Sequence, residues 1–240
     1  GRISLAVGFA AMFTGILIGI VIGAIAGISR GWVDTVLMWV TDLFLSLPTL
    51  PVLLLLIFFF RDALKSVFGP EVGIFLLIVL VIGGLSWMPV ARLVRAQFFS
   101  LREKEFVEAA RALGASVPRQ VVRHILPNAL GPVIVAATIN IAAAIIAEST
   151  LSFLGLSDPT TLSWGQMLNY AFTRGAMSAG AWWVLVPPGF GIVWVVLGCT
   201  LLGQGLERVL NPRLETHHLA VSRQLETQHV RSSEIRGPED

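Results

Sequence analysis

ISLAVGFAAMFTGILIGIVIGAIAGI, residues Ile3–Ile28, contains no charged side chain. A run of about 20 apolar residues crosses a hydrocarbon core as a helix. In lipid the backbone must satisfy its own hydrogen bonds, and an α-helix does so within one segment. Gly15, Gly19, Gly23 and Gly27 recur at every fourth position of the run. That spacing strips one helix face of side chains and predicts a close approach by a second helix there. Comparable runs return along the chain, with mean hydropathy of +0.79 and only 13% charged residues. The reading is all-α: a polytopic helical membrane protein with five spans, and not a soluble domain.

From this first span the pattern extends as follows. A helix over Trp32–Phe60 is expected to start at the cytoplasmic surface and bend at Pro48 and Pro51. It then crosses through Val52–Phe60. Arg61–Glu71 reads as a short polar loop. The third span is placed at Val72–Leu93 and the fourth at Ala129–Leu154. Gly155–Gly180 reads as the longest outer loop, and the fifth span as Ala181–Leu206, with Pro187-Pro188 in its first turns. Residues 1–210 form the transmembrane domain and 211–240 a polar tail, in which His217, His218 and His229 read as solvated rather than as metal ligands.

Lysine and arginine placement orients the chain. Arg92, Arg95, Arg102, Lys104, Arg111, Arg119 and Arg123 follow the third span, and the C-terminal end adds Arg208, Arg213, Arg223, Arg231 and Arg236. The other side carries Arg2, Arg61, Lys65 and Arg174. Residues 100–128 and the tail are therefore expected in the cytoplasm. Five spans then put Gly1 outside, which calls for one further span upstream.

Ionisable residues within spans are functional candidates, because burying them in lipid is costly. Asp34 and Asp42 lie eight residues apart on roughly one helix face; headgroup depth is favoured for Asp34 and open for Asp42. Ala136, Asn140, Ala144, Glu148 and Ser152 form a small polar stripe on the fourth span. Asp42, Asn140 and Glu148 are the candidate pathway-lining residues; for Glu148, lining and structural pairing weigh equally. An ion-coupled secondary transporter using Asp42 and Glu148 is the alternative function.

No catalytic, metal or cofactor site is assigned. Gly-x-x-x-x-Gly-Lys-Ser/Thr, His-Glu-x-x-His, Cys-x-x-Cys and Gly-x-Ser-x-Gly do not occur, and Cys199 is the single cysteine. If transport is ATP-driven, hydrolysis belongs to another polypeptide. A nucleic-acid partner is not expected.

Between the third and fourth spans lies SLREKEFVEAARALGASVPRQVVRHILPN, Ser100–Asn128. Ser100 and Glu103 read as a capping box. Phe106, Ala109, Ala110 and Leu113 fall on one apolar face, with Glu108 and Arg111 off it. Gly114 suits a left-handed helix stop, Ser116 can cap a second short helix with Pro118 in its first turn, and Pro127 is expected to break the chain again.

Glu108-Ala109-Ala110, Gly114 and Ile125-Leu126-Pro127 resemble the EAA loop of permease subunits in binding-protein-dependent ABC importers; His124 stands where many relatives carry an apolar residue. Ala147–Leu156, Ser163-Trp164-Gly165, Asn211-Pro212-Arg213, Gly1–Leu5 and Gly31–Asp34 resemble the peptide and nickel branch, most of all its C-type dipeptide and oligopeptide subunits. The resemblance covers about Gly1 to Arg213. It implies a type I ABC importer permease fold in a prokaryotic inner membrane, with an upstream span. It also implies a second homologous permease, two ATPase subunits and an extracytoplasmic substrate-binding protein as partners. The loop would be the coupling helix, with Glu105, Phe106, Glu108, Ala109, Ala110, Arg111, Gly114, Leu126 and Pro127 as ATPase-coupling residues. Phe106, Ala109 and Ala110 would enter the ATPase groove, and Glu108 and Arg111 would pair at its rim.

Overall fold

The computed structural model describes residues 1–29 and 31–210. Among them helices are the only regular structure: α1 (Arg2–Ile28), α2 (Trp32–Ser46), α3 (Thr49–Phe68), α4 (Pro70–Leu101), α5 (Glu105–Ala112), α6 (Val117–Gln120), α7 (Leu126–Phe153), α8 (Trp164–Thr173) and α9 (Val186–Leu210). Four stretches are long and apolar enough to cross a bilayer, and the bent pair α2–α3 brings the count up to five.

The glycine face of α1 packs on α4. A Cβ on Gly15 would lie 2.9 Å from Ser86 Cβ, one on Gly19 2.6 Å from Val90 Cβ, and one on Gly27 2.5 Å from Phe98 Cβ. Gly83 answers from the other side, where a Cβ would meet the Ala11 carbonyl at 2.8 Å. The small residues let the two backbones approach, which is what holds helices together where lipid supplies no hydrophobic drive. Val7 and Ala11 of α1 then share an apolar cluster with Leu53 and Ile57 of α3, Ile74, Leu77 and Ile78 of α4, and Ala144 and Leu151 of α7.

The expected bend at the prolines is a break. α2 ends at Ser46, Leu47 and Pro48 are extended, and α3 leaves at 91°. Pro48 cannot continue the helix, whereas Pro51 is tolerated in the first turn of α3. Arg61–Glu71 is not a loop. The stretch Arg61–Phe68 has neither glycine nor proline, so α3 runs on until Gly69, whose φ of 82° stops it, and Pro70 opens α4. α4 in turn passes Leu93 and continues to Leu101, because Val90, Val94 and Phe98 keep packing at four-residue intervals.

Pro127 does not interrupt the chain either. α6, a π turn over Val121–Ile125 and α7 form one continuous helical stretch from Val117 to Phe153. Proline lacks an amide donor and crowds the carbonyl four residues back; the wider π turn just before it accommodates both. On the opposite side the expected outer loop contains α8. Ser163 caps it, accepting a hydrogen bond from the Gln166 amide at 3.1 Å. Gly165 lets α8 lie directly on the Ser149 carbonyl of α7. Pro187 and Pro188 fall in the first turn of α9, as expected. Asn211, Pro212, Arg213 and the tail histidines lie outside the described residues.

Candidate functional site

The charged loop forms a compact cap at one end of the spans. Ser100 belongs to the last turn of α4, and α5 begins after Lys104 with no side-chain cap, so Ser100 and Glu103 do not form a capping box. The C-terminal stop is as expected. Gly114 has φ 81°, its amide donates to the Arg111 carbonyl at 2.9 Å, and the Ala115 amide reaches back to Ala110 at 3.0 Å. This pair of bonds satisfies carbonyls that a helix end leaves open. Ser116 occupies the N-cap position of α6 without a side-chain bond. Glu105 and Glu108 sit in the first turn of α5 and Arg111 in its last, each the favourable end of the helix dipole.

The predicted apolar face of α5 is divided. Val107, 0% exposed, and Ala110, 8% exposed, turn inward. Val107 joins Phe98 of α4, Ile125, and Ala129 and Val133 of α7 in one cluster. Phe106, Ala109 and Leu113 turn outward with Glu108, and Leu113 is 89% exposed; Arg111, one turn from Val107, is exposed at the edge between the two faces. Ala110 therefore braces the helix from behind. Leu126 is half-buried against the same cluster, and Pro127 and Gly114 are exposed. Gln120 is buried, and its Nε2 donates to the Ala115 carbonyl at 2.6 Å, which ties α6 to the Gly114 turn. Sequence reasoning passed over Val107 and Gln120. The three-residue spacing of Val107 and Ala110 was the available signal.

The intramembrane acids separate into two places. Asp34 accepts two hydrogen bonds from Arg95, at 2.5 and 2.6 Å, and Arg95 also lies over the Phe99 ring. Asp42 accepts from Nε of Arg92 at 3.1 Å and from its Nη2, and this pair is more than half exposed. Both pairs tie α2 to the second half of α4. Glu148 is 1% exposed. It accepts from Ser152 Oγ at 2.6 Å and faces a cavity of about 50 Å³ shared with Glu71, Ser157, Asp158 and Ser163. Glu71 and Arg92 are separated by the length of α4 between them, roughly 30 Å. Asp42 and Glu148 thus mark opposite ends of the bundle and form no joint site. Asn140 sits between them on α7, half-buried.

Around Glu148 the segment that contains α8 is closely bonded. Asn169 donates to the Phe153 carbonyl at 2.6 Å, Tyr170 to the Pro159 carbonyl at 2.8 Å, and Ser157 to Gln166 at 2.6 Å. The Thr160 hydroxyl donates to Asp158 at 2.5 Å and holds its carboxyl below the ordinary value of 3.8, against the opposing effect of burial.

Residues 19–216 match the family of binding-protein-dependent transport system inner membrane components. The oligopeptide transport system permease protein OppC of Escherichia coli K12 is 43% identical over 215 residues, which cover 89% of this chain and 66% of that protein. The dipeptide transport system permease protein DppC of Alkalihalophilus pseudofirmus is 36% identical over 90% of this chain and 66% of that protein. The chain thus spans about two thirds of their length. An inward-facing structure of the MetNI methionine ABC transporter superposes with a TM-score of 0.67 at 20% identity, covering 88% of this chain and 94% of its own.

Proposed function

The chain belongs to the family of binding-protein-dependent transport system inner membrane components, and we propose that it forms one of two permease halves of an ATP-driven importer of peptides. The 43% identity to an oligopeptide permease supports the substrate class. The family description supports a binding protein as the donor of substrate. A second homologous permease and two ATPase subunits complete the proposed assembly, with residues 100–128 and 211–240 in the cytoplasm.

The observation that carries the coupling role is the division of α5 into two faces. Val107 packs α5 onto α4 and α7 and Ala110 is buried behind it, while Phe106, Ala109 and Leu113 stay uncovered beside Glu108 and Arg111. Bulky apolar side chains exposed at the polar end of a membrane protein suit a protein partner. A push on that face passes through Val107 to Phe98, Ile125 and Ala129, and so to two spans at once. Closure of an ATPase pair would thereby change the tilt of α4 and α7 and alternate access to the pathway. Ala109 presents little bulk, so a groove on the partner can reach the helix backbone.

Ion coupling through Asp42 and Glu148 is disfavoured, because one is paired with Arg92 at one end of α4 and the other is enclosed at the opposite end. Purification of the chain from its native membrane is expected to bring a second permease and Walker-motif ATPases, and cells are expected to take up labelled dipeptide only while ATP is available. Recovery of the chain without ATPases, with uptake surviving ATP depletion, would reject the proposal.

A further inference from the structure

At the foot of α1 a cavity of about 270 Å³ opens between the last turn of α1, the last turn of α4 and the α5–α6 loop. Its walls are Gly27, Ile28, Phe98, Val121 and Ile125, and its polar rim is Arg102, Arg111 and Gln120. The volume lies just under the usual range of small-molecule sites, about 300–1,000 Å³.

Arg102 is built into this wall rather than draped over the surface. Its guanidinium stacks on the Phe99 ring at 4.2 Å and donates one long bond, 3.3 Å, to the Gly27 carbonyl. Its Nε is buried without a hydrogen-bond partner among the described residues, and the nearest carboxylate oxygen, on the exposed Glu103, stays 3.9 Å away. A guanidinium has five donors in a planar fork, and a buried donor left unpaired is costly. Arg111 on the facing side makes no ion pair among the described residues. Two arginines thus line a cavity whose walls carry no carboxylate among the described residues.

We propose that this cavity binds the phosphate group of an anionic phospholipid. The shared chemistry is a phosphate anion held by a planar arginine fork. The apolar wall selects the lipid source. Ile28 and Phe98 lie in the last turns of two membrane-crossing stretches and Ile125 in the third turn of another, so an acyl chain entering beside them leaves its headgroup level with Arg102. Basic pockets between spans on the cytoplasmic side hold anionic headgroups for this reason. The inference rests on the proposed membrane orientation. It makes leaflet charge an element of the joint between coupling loop and spans.

The test uses the complete importer in nanodiscs of phosphatidylcholine doped with phosphatidylglycerol, read by native mass spectrometry. Phosphatidylglycerol retention is expected to fall about fivefold in Arg102→Gln, and to hold in Arg119→Gln, which removes the same charge from an exposed site outside the cavity. Ile28→Trp, which fills the cavity without changing charge, is expected to lower retention as well. Equal retention in all variants, or equal loss in Arg102→Gln and Arg119→Gln, overturns the proposal. So does displacement by millimolar inorganic phosphate, which marks a soluble anion as the ligand. Retention seen only after removal of residues 211–240 overturns it too, by assigning the cavity to the chain's own carboxylates. Co-purifying ATPases are counted in the same spectra, so failure of the importer reading registers separately from failure of the lipid site.

Discussion

At Gly19 a side-chain carbon would fall 2.6 Å from Val90 Cβ and 2.9 Å from the Trp87 carbonyl oxygen. Neither neighbour can swing aside, since one is β-branched and packed and the other is backbone. Gly19→Leu is expected to destabilise the bundle by at least the roughly 1–3 kcal/mol typical of overpacking, seen as a lower unfolding temperature in detergent. Gly84→Ala meets nothing within 4 Å and is expected to leave that temperature unchanged or slightly higher. The glycine register was legible in the sequence because a four-residue period needs no partner to be recognised. The partner was not legible, since nothing local links Gly19 to Val90. Asp158 is a second such case: its Asp-Pro string marked an irregular loop, while its bond to Thr160 depends on how the turn closes. Its folded pKa lies below 3.8, so its stabilisation is full above that pH and is lost as pH falls through the lower folded value. Asp158→Asn is therefore expected to be less stable than the parent at pH 7, with the gap closing below pH 3.8; a gap constant with pH would contradict the assignment.

Two serines teach opposite lessons about helix starts. Ser100-x-x-Glu103 has the residues of a capping box, yet Ser100 lies inside α4; Ser163-x-x-Gln166 forms a cap in a segment that reads as loop. The difference is tertiary. Phe98 and its predecessors on α4 keep packing against α1 past the arginines, so the helix continues through the signal. Ser163 itself is extended at the end of a turn-rich segment, and Gly165 allows α8 to settle on α7. Turn chemistry in α5 was easier to read, since a lone glycine after an apolar run needs only local geometry. Gly114→Ala must hold a left-handed conformation, at a cost of roughly 1–2 kcal/mol. Faster amide exchange at Gly114 and Ala115 is the expected signature, without loss of the spans. The two-faced packing of α5 gives a paired prediction. Leu113→Asp is expected to leave the unfolding temperature in place while ATPase recovery falls. Val107→Asp buries an unpaired charge in the cluster with Phe98 and Ile125 and is expected to lower both. Equal effects of the two substitutions would show that the faces were misassigned.

On the scale of the whole molecule, charge and apolar surface are segregated. Phe9, Phe13, Leu17, Val21 and Ile25 form an uncovered row along α1, opposite its glycines, and α9 exposes Phe190, Val193, Trp194, Leu197 and Leu201. In water such surface would drive aggregation; in a bilayer it meets acyl chains or a second permease. The ends differ in kind. One carries Arg92, Arg95, Arg102, Arg111, Arg119 and Arg123, the other a bonded cap of serines, Asp158 and Glu148. Cationic loops are retained on the cytoplasmic side during insertion, so this asymmetry predicts an orientation independently of any relative. A cysteine scan reads it directly. Cys199 is the only cysteine of the chain, so Cys199→Ser supplies a blank background. Leu113→Cys and Leu162→Cys then place thiols on exposed sites at the two ends, 89% and 63% exposed. A membrane-impermeant maleimide added to cells with a permeable outer envelope is expected to label Leu162→Cys at once, and Leu113→Cys only after the inner membrane is opened. The reverse pattern would put the arginine-rich loop outside, where no ATPase could reach α5, and the coupling proposal would fall with the orientation.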